Sequence, residues 1–333
     1  MNSMSKKLNK QISNSLKSGT VLVGLVFLLM VIVASIFSEY FLTLFNLQSL
    51  IRDIAFIGMI AVAQSLLLLI GELDLSVGSI ATLSGVLGGI MMVSLNVNPI
   101  IAFVLGIVIG AIFGIINGLL ITKLKINSMV ATIGMSSVYG GVTFVITRGK
   151  AITNIPEDIL FLGQGEILLI PLPFWISLAV LIAIVFMALK TKTGRYIYAI
   201  GNGKEAAKII GINVDKIRLM IFCIVGGVSA LAGMLYIARL GSAQSAVGTA
   251  WPLNSIAACV IGGVLLTGGV GNPIGAYFGA AIICLISNII VLFGVSIYWQ
   301  KAVSGIVIIL AIALPSIIIL IRERQIANSY KKS

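Results

Sequence analysis

The sequence predicts an all-α, polytopic membrane protein with about ten transmembrane helices and both termini on the cytoplasmic side. Two charge-free runs and the composition carry that prediction. Residues 240–300 run for 61 positions without Asp, Glu, Lys or Arg, and residues 75–122 do the same for 48. A helix needs about 20 apolar residues, at about 1.5 Å each, to cross the hydrocarbon core. Each run therefore holds at least two crossings and the turn between them. The whole chain is 59% hydrophobic and 10% charged, with a mean hydropathy of +1.17. A backbone in lipid must satisfy its own hydrogen bonds, which leaves helices or a closed barrel. Barrel strands alternate apolar and polar residues, and these runs do not.

Charge punctuation and turn residues place the spans near 20–38, 53–71, 75–95, 98–121, 126–147, 167–189, 218–238, 253–271, 274–293 and 302–321. The first follows a basic leader, but its apolar run exceeds the roughly 7–15 residues of a signal peptide. It reads as an uncleaved helix. Glycine or polar residues interrupt the second, third and eighth, as in the discontinuous helices that border transport paths. Gly106, Gly110, Gly114 and Gly118 repeat every fourth residue in the fourth span. Gly271, Gly275 and Gly279 do so entering the ninth, and Gly85 and Gly89 pair in the third. Small residues at this spacing let helix backbones touch, either within one chain or along a seam between two copies. IGELDLSVG (70–78) and IGGVLLTGG (261–269) form a faint internal echo, from a duplicated half or from the chance likeness of glycine-rich apolar sequence.

Basic residues favour the cytoplasmic side in short loops. With ten crossings and the N-terminus inside, 17 of the 22 basic residues face the cytoplasm and 5 face out. An odd number of crossings would send the C-terminal cluster outside. The domains are then a cytoplasmic tail (1–18), a membrane domain (19–322) with a cytoplasmic loop at 190–218, and a second tail (323–333). The net charge of +12 has no basic domain to hold nucleic acid, and none is expected as a partner. The chain has no His, which excludes His-based metal sites and Ser/His/Asp triads. No metal site is expected. Cys223, Cys259 and Cys284 lack paired spacing and read as small buried hydrophobes.

The polar stretches carry the candidate sites. In GNGKEAAKIIGI (201–212), Asn202 is placed to cap a helix, with Glu205 reaching back in a capping box and pairing with Lys208. Ala206, Ile209 and Ile210 form an apolar face, and Gly211 suits a left-handed stop. Such a helix either covers the end of the bundle or fits a groove on a cytoplasmic partner. Asp74, with Glu72 nearby, lies at the inner end of the second span. Carboxylates near a membrane are costly unless paired or wetted. Asp74 is read as a cap on the following helix, with Ser76 assisting and Gly78 beyond, or as part of a gate. Gln64, Asn117, Thr143, Gln244, Asn254 and Asn288 are polar residues inside spans or between them. They line a solute path or bond helix to helix.

GKEAAKIIGI (203–212) resembles the Glu-Ala-Ala…Gly loop of permeases of ATP-binding-cassette importers. GELDLSVGS (71–79) is similar to the Asp-Leu-Ser-Val-Gly signature of their ribose, galactoside and xylose branch. LKINSMVATIGM (124–135), TKTGRYIYAIG (191–201) and LNSIAACVIGGVLLTGGVG (253–271) extend the resemblance over about residues 50–315, in family order. The sequence departs from the pattern at Glu72, usually Gly, at Pro252 and Asn254, usually acidic, and at Gly140, often Arg. Those departures leave the class intact and put the identity of the sugar in question.

The resemblance implies a membrane permease that moves a monosaccharide or similar small polar solute across a bacterial plasma membrane. Its coupling helix, with Asn202, Glu205, Ala206, Ala207, Ile210 and Gly211, would dock on a separate ATPase subunit. ATP and Mg would belong to that subunit, and this chain would hold no cofactor. GKE (203–205) lacks the Ser/Thr and the preceding Gly of a Walker A element. Other implied partners are an extracellular or periplasmic substrate-binding protein, facing Arg148, Lys150, Glu157, Asp158 and Glu166, and a second permease, identical or a sister chain. An ion-coupled secondary carrier is the alternative. Such carriers commonly place carboxylates in mid-membrane, and here every carboxylate is expected near a span end.

Overall fold

A computed structural model describes residues 23–294 continuously, together with Val21 and isolated positions between 296 and 309. Its helices are α1 (Val23–Phe37), α2 (Leu44–Leu69), α3 (Val77–Val93), α4 (Pro99–Lys123), α5 (Ser128–Thr147) and α6 (Glu157–Gln164). They continue with α7 (Leu172–Lys190), α8 (Lys192–Asn202), α9 (Lys204–Ile209), α10 (Val214–Leu240), α11 (Trp251–Ile261) and α12 (Pro273–Leu292). Between α6 and α7 lies a two-residue hairpin of β1 (Glu166–Ile167) and β2 (Ile170–Pro171). It departs from the all-α expectation, and its tip uses positive φ at Leu168 and Leu169.

Six helices, α2, α4, α5, α7, α10 and α12, are long and apolar enough to cross a membrane. The apolar helices α1, α3 and α11 are shorter. Nine of the ten expected spans fall on these helices, and the tenth, 302–321, lies largely outside the described residues. Two boundaries change. The second span starts at Leu44 rather than 53, because Arg52 and Asp53 remain helical and are neutralised in pairs, Arg52 with Glu166 at 3.0 Å and Asp53 with Arg239 at 2.7 Å. The eighth stops at Ile261, and residues 262–272 run on without helix through positive φ at Gly263, Gly268, Gly269 and Gly271.

The glycine repeats pack this one chain. α4 lies along α10. A methyl on Gly106 would come 2.6 Å from Met234 Sδ, and one on Gly118 would come 2.9 Å from Leu219 Cδ1. At Gly110 and Gly114 it would collide with Ala230 and with the Phe222 carbonyl. Gly275 and Gly279 meet Gly262 and the Ala258 carbonyl, which seats α12 on α11. The intrachain reading therefore holds for these positions, and the seam between copies does not. α2 is the central post: its most apolar stretch is 83% buried, against 22% for α5 and for α7. Phe56, Met59, Ile60 and Leu66–Leu69 are all buried along it.

The helices alternate in direction, so two groups of loops form. At one end, residues 70–76, 198–204 and 262–272 meet. Gly269 N donates to Leu69 O at 2.9 Å, and Tyr198 Oη donates to Gly271 O at 2.9 Å. The two segments of the internal echo touch at this end, where Gly71 lies against Thr267 and Gly268. At the other end, Ile152 and Ala243 form a bridge, and Gln164 Nε2 donates to Arg239 O.

Candidate functional site

The break between α2 and α3 holds a buried polar knot. Residues 70–76 leave the helix through Gly71 at φ +72°, and α3 begins beyond Ser76. Asp74 is fully buried. Its carboxylate accepts from Ser76 N at 2.7 Å, Ser76 Oγ at 2.6 Å and Asn117 Nδ2 at 3.3 Å. The helix start favours a negative charge here. Asp74 binds Ser76, the N-cap residue of α3, and takes no first-turn N–H of that helix, so the expected helix cap becomes a turn one step earlier. Ser76 gives its hydroxyl to Asp74 and makes no side-chain bond to the first turn of α3.

Two expected path residues enter this knot. Gln64 Nε2 donates to Asp74 O at 3.2 Å, and Asn117 Nδ2 also donates to Ser76 Oγ at 2.7 Å. Asn117 lies six residues before the end of α4, about 9 Å into the bundle. Asp74 lies between the end of α2 and the start of α3, as expected for a carboxylate near a span end, yet it is buried against the protein rather than exposed. The 70–76 segment is held there by α5, whose role the sequence reading did not anticipate. Ser128 Oγ accepts from Leu73 N at 3.4 Å, Thr132 Oγ1 accepts from Leu75 N at 3.1 Å, and Tyr139 Oη donates to Asn117 Oδ1 at 3.1 Å. The signal was a polar stripe at helical spacing, Ser128, Thr132, Ser136, Tyr139 and Thr143.

Beside the knot lies an open cavity of about 380 Å³ whose lining includes Ser79, Thr82, Ser136, Ser245 and Thr249 together with the apolar Leu75, Phe144, Pro252 and Leu253. The segment between α10 and α11 dips into the bundle to form its wall. Gly78 has no side chain because the Gly248 carbonyl lies against it. Thr82 Oγ1 donates to Gly78 O at 2.8 Å and also reaches Val247 O. Gly78 is thus a point of close approach between the two segments.

The remaining path candidates lie elsewhere. Asn288 and Asn46 exchange amide hydrogen bonds of 2.7 and 3.2 Å at the end opposite α9. Asn254 borders a separate cleft with Asp53 and Trp251. Gln244 is exposed and donates to Ser242 Oγ. The structure does not bring these three to the Asp74 knot.

At the loop end, α8 and α9 form a joint. Asn202 is the last residue of α8, and its amide donates to Tyr198 O at 2.8 Å, so it does not cap α9. Gly203 takes the cap position without a side-chain bond. The capping box is therefore absent. Glu205 pairs instead with Lys208 at 2.8 Å, and Gly211 ends the turn at φ +84°. Ala207, expected on an outward contact, is buried at 2% exposure against its own chain. The outward face is Ala206, Ile209 and Ile210, with Ile209 86% and Ile210 72% exposed. Glu72, on the neighbouring break, is buried and takes Lys204 Nζ at 3.0 Å and the Arg218 guanidinium. Burial pushes the Tyr198 hydroxyl at this joint up to about 12, so it stays a neutral donor.

The fold is thus a helical bundle with broken helices around a buried polar knot, and a short helix packed at one end leaves Ile209 and Ile210 exposed. The chain belongs to the family described as branched-chain amino acid transport system / permease component, whose model matches residues 46–312. It is similar to the ribose import permease protein RbsC of Bacillus subtilis (strain 168), with 42% identity over 86% of this chain and 89% of that protein. The L-arabinose ABC transporter permease protein AraH of Azospirillum brasilense is 32% identical over 89% of this chain and 86% of its own. The autoinducer 2 import system permease protein LsrC of Salmonella typhi is 31% identical over 88% and 84%. No solved structure matches. The chain is thus the multi-pass permease component of a bacterial ABC importer, not its ATPase.

Proposed function

We propose that this permease imports a ribose-like monosaccharide or a solute of similar size and polarity, using ATP hydrolysed on a partner subunit seated against α9. The exposed pair Ile209 and Ile210 carries the docking part of this reading. Two large apolar side chains at the end of a six-residue helix, Ile209 its last residue and Ile210 its C-cap, in a loop region rich in Lys and Arg, suit a groove on another protein. The excess of basic residues at that end favours the cytoplasm. The count of ten crossings with both termini inside, read from the sequence, agrees with that orientation.

The open cavity beside Asp74, with five Ser and Thr residues in its lining, suits a solute that presents several hydroxyls. A second permease, identical or a sister chain, closes the path on the open side. The opposite end, with Glu157 and Asp158 exposed on α6, is the surface for a substrate-binding protein. Relatives named for ribose, L-arabinose and autoinducer 2 support a small hydroxylated solute.

The test is uptake of labelled ribose into vesicles carrying the permease, its ATPase and its binding protein. Uptake is expected only with ATP inside the ATPase-bearing compartment. Accumulation driven by a proton or sodium gradient without ATP would sink the proposal.

A further inference from the structure

We infer that Glu72 is a positioning residue that ties the ATPase-docking helix to the gate region, so that movement of α9 is passed to the Asp74 knot. The inference rests on the docking role proposed for α9.

Three observations place Glu72 between the two. Its side chain is 2% exposed, and its Oε1 takes Lys204 Nζ at 3.0 Å as well as the Arg218 guanidinium. Lys204 is the first residue of α9, and Arg218 stands in the second turn of α10. Glu72 itself lies two residues from Asp74, in a seven-residue segment held at both ends. Leu69 O accepts from Gly269 N, and Leu75 N donates to Thr132. A buried carboxylate deprived of its cations is strongly disfavoured, so the three groups tend to move as one.

The backbone offers a second contact at the same joint. Gly201, at the end of α8, lies against the Leu69 carbonyl and against Gly269. The α8–α9 joint is therefore seated directly on the break between α2 and α3. A shift of α9 has two routes into that break, one by packing and one by the Lys204–Glu72 pair. Only the second is removable without altering the packing, because Lys204 remains 41% exposed. Its removal leaves Arg218 to neutralise Glu72.

Coupling is a free energy shared between sites, and its loss is read as wasted ATP. The measurement is sugar moved per ATP hydrolysed in vesicles, using complex purified through a tag on the ATPase. Lys204→Met is expected to lower this ratio by about fivefold or more, and Lys204→Arg to restore it. Glu72→Gln should act like Lys204→Met. A purely structural role would change the yield of assembled complex and leave the ratio alone.

An unchanged ratio in Lys204→Met overturns the inference, whether or not Glu72→Gln folds. Failure of Lys204→Met to assemble also overturns it, because Lys204 would then belong to the docking surface. The intact complex tests the underlying reading separately: without ATP-dependent uptake there, the docking role falls and this inference with it.

Discussion

Asp74 concentrates the polar chemistry of the bundle. It is fully buried with no cation against it among the described residues, and its carboxylate takes hydrogen bonds from Ser76 and Asn117. Hydrogen bonds to a charged group contribute about 1.5–3 kcal/mol. Asn117→Leu removes one donor to Asp74 and the acceptor of Tyr139, so a loss of about that size is expected, with reduced uptake. Thermal unfolding in detergent beside a transport assay checks both. Wild-type stability in Asn117→Leu would show that the knot is dispensable. The glycines of α4 make a contrasting prediction. Gly114→Leu should cost about 1–3 kcal/mol or more, because overpacking has no room to relax against the Phe222 carbonyl. Gly134→Leu on α5, where nothing lies within 4 Å of an added methyl, should be tolerated. Equal thermal stability of the two variants would contradict the packing of α4 on α10.

Among the elements, α9 carries the clearest division between what folds the chain and what remains available to a partner. Ala207 faces inward and Ile210 outward. Ala207→Arg is therefore expected to disturb the joint itself, since an unpaired charge would be forced into its buried contact. Ile210→Asp should leave the permease folded and abolish capture of the ATPase. Co-purification with size-exclusion profiles decides between them. A folded Ile210→Asp permease that still holds its ATPase would move the docking surface to the next cytoplasmic loop, at Lys123 and Lys125. α5 shows how a peripheral helix serves the site: most of it is exposed, yet Ser128, Thr132 and Tyr139 turn toward the break and hold it.

For the whole molecule, the alternating helices gather Lys123, Lys125 and the 190–218 loop at one end, and 148–172 at the other. In a variant lacking Cys223, Cys259 and Cys284, a single cysteine at Asn154 should react with an impermeant reagent from outside. One at Lys208, 55% exposed at its side chain, should react only after permeabilisation. Labelling of position 208 from outside would reverse the orientation and remove the ATPase from α9. The three cysteines are free; Cys259 and Cys284 are buried as expected, whereas Cys223 is only partly buried.

Much of this protein was legible in its residues. Apolar length and the hydrogen-bonding demand of the bilayer determine a helical membrane protein, because no other backbone satisfies itself in lipid. The motif spacing predicted a short helix in the 201–212 segment and its Gly211 stop, though not its first residue. Local sequence could not show that Asn202 bonds Tyr198 rather than capping α9, or that Ala207 turns inward. Each depends on how α8 seats against residues remote in the chain. The same holds for the end of α11 at Ile261, where glycine-rich residues stay apolar while the backbone leaves the helix. Hydropathy records only what lipid and water prefer. Which polar groups meet, Asp74 with Asn117 and Glu72 with Lys204 but not Asn288 with either, was decided by packing across 43 and 132 residues of sequence separation.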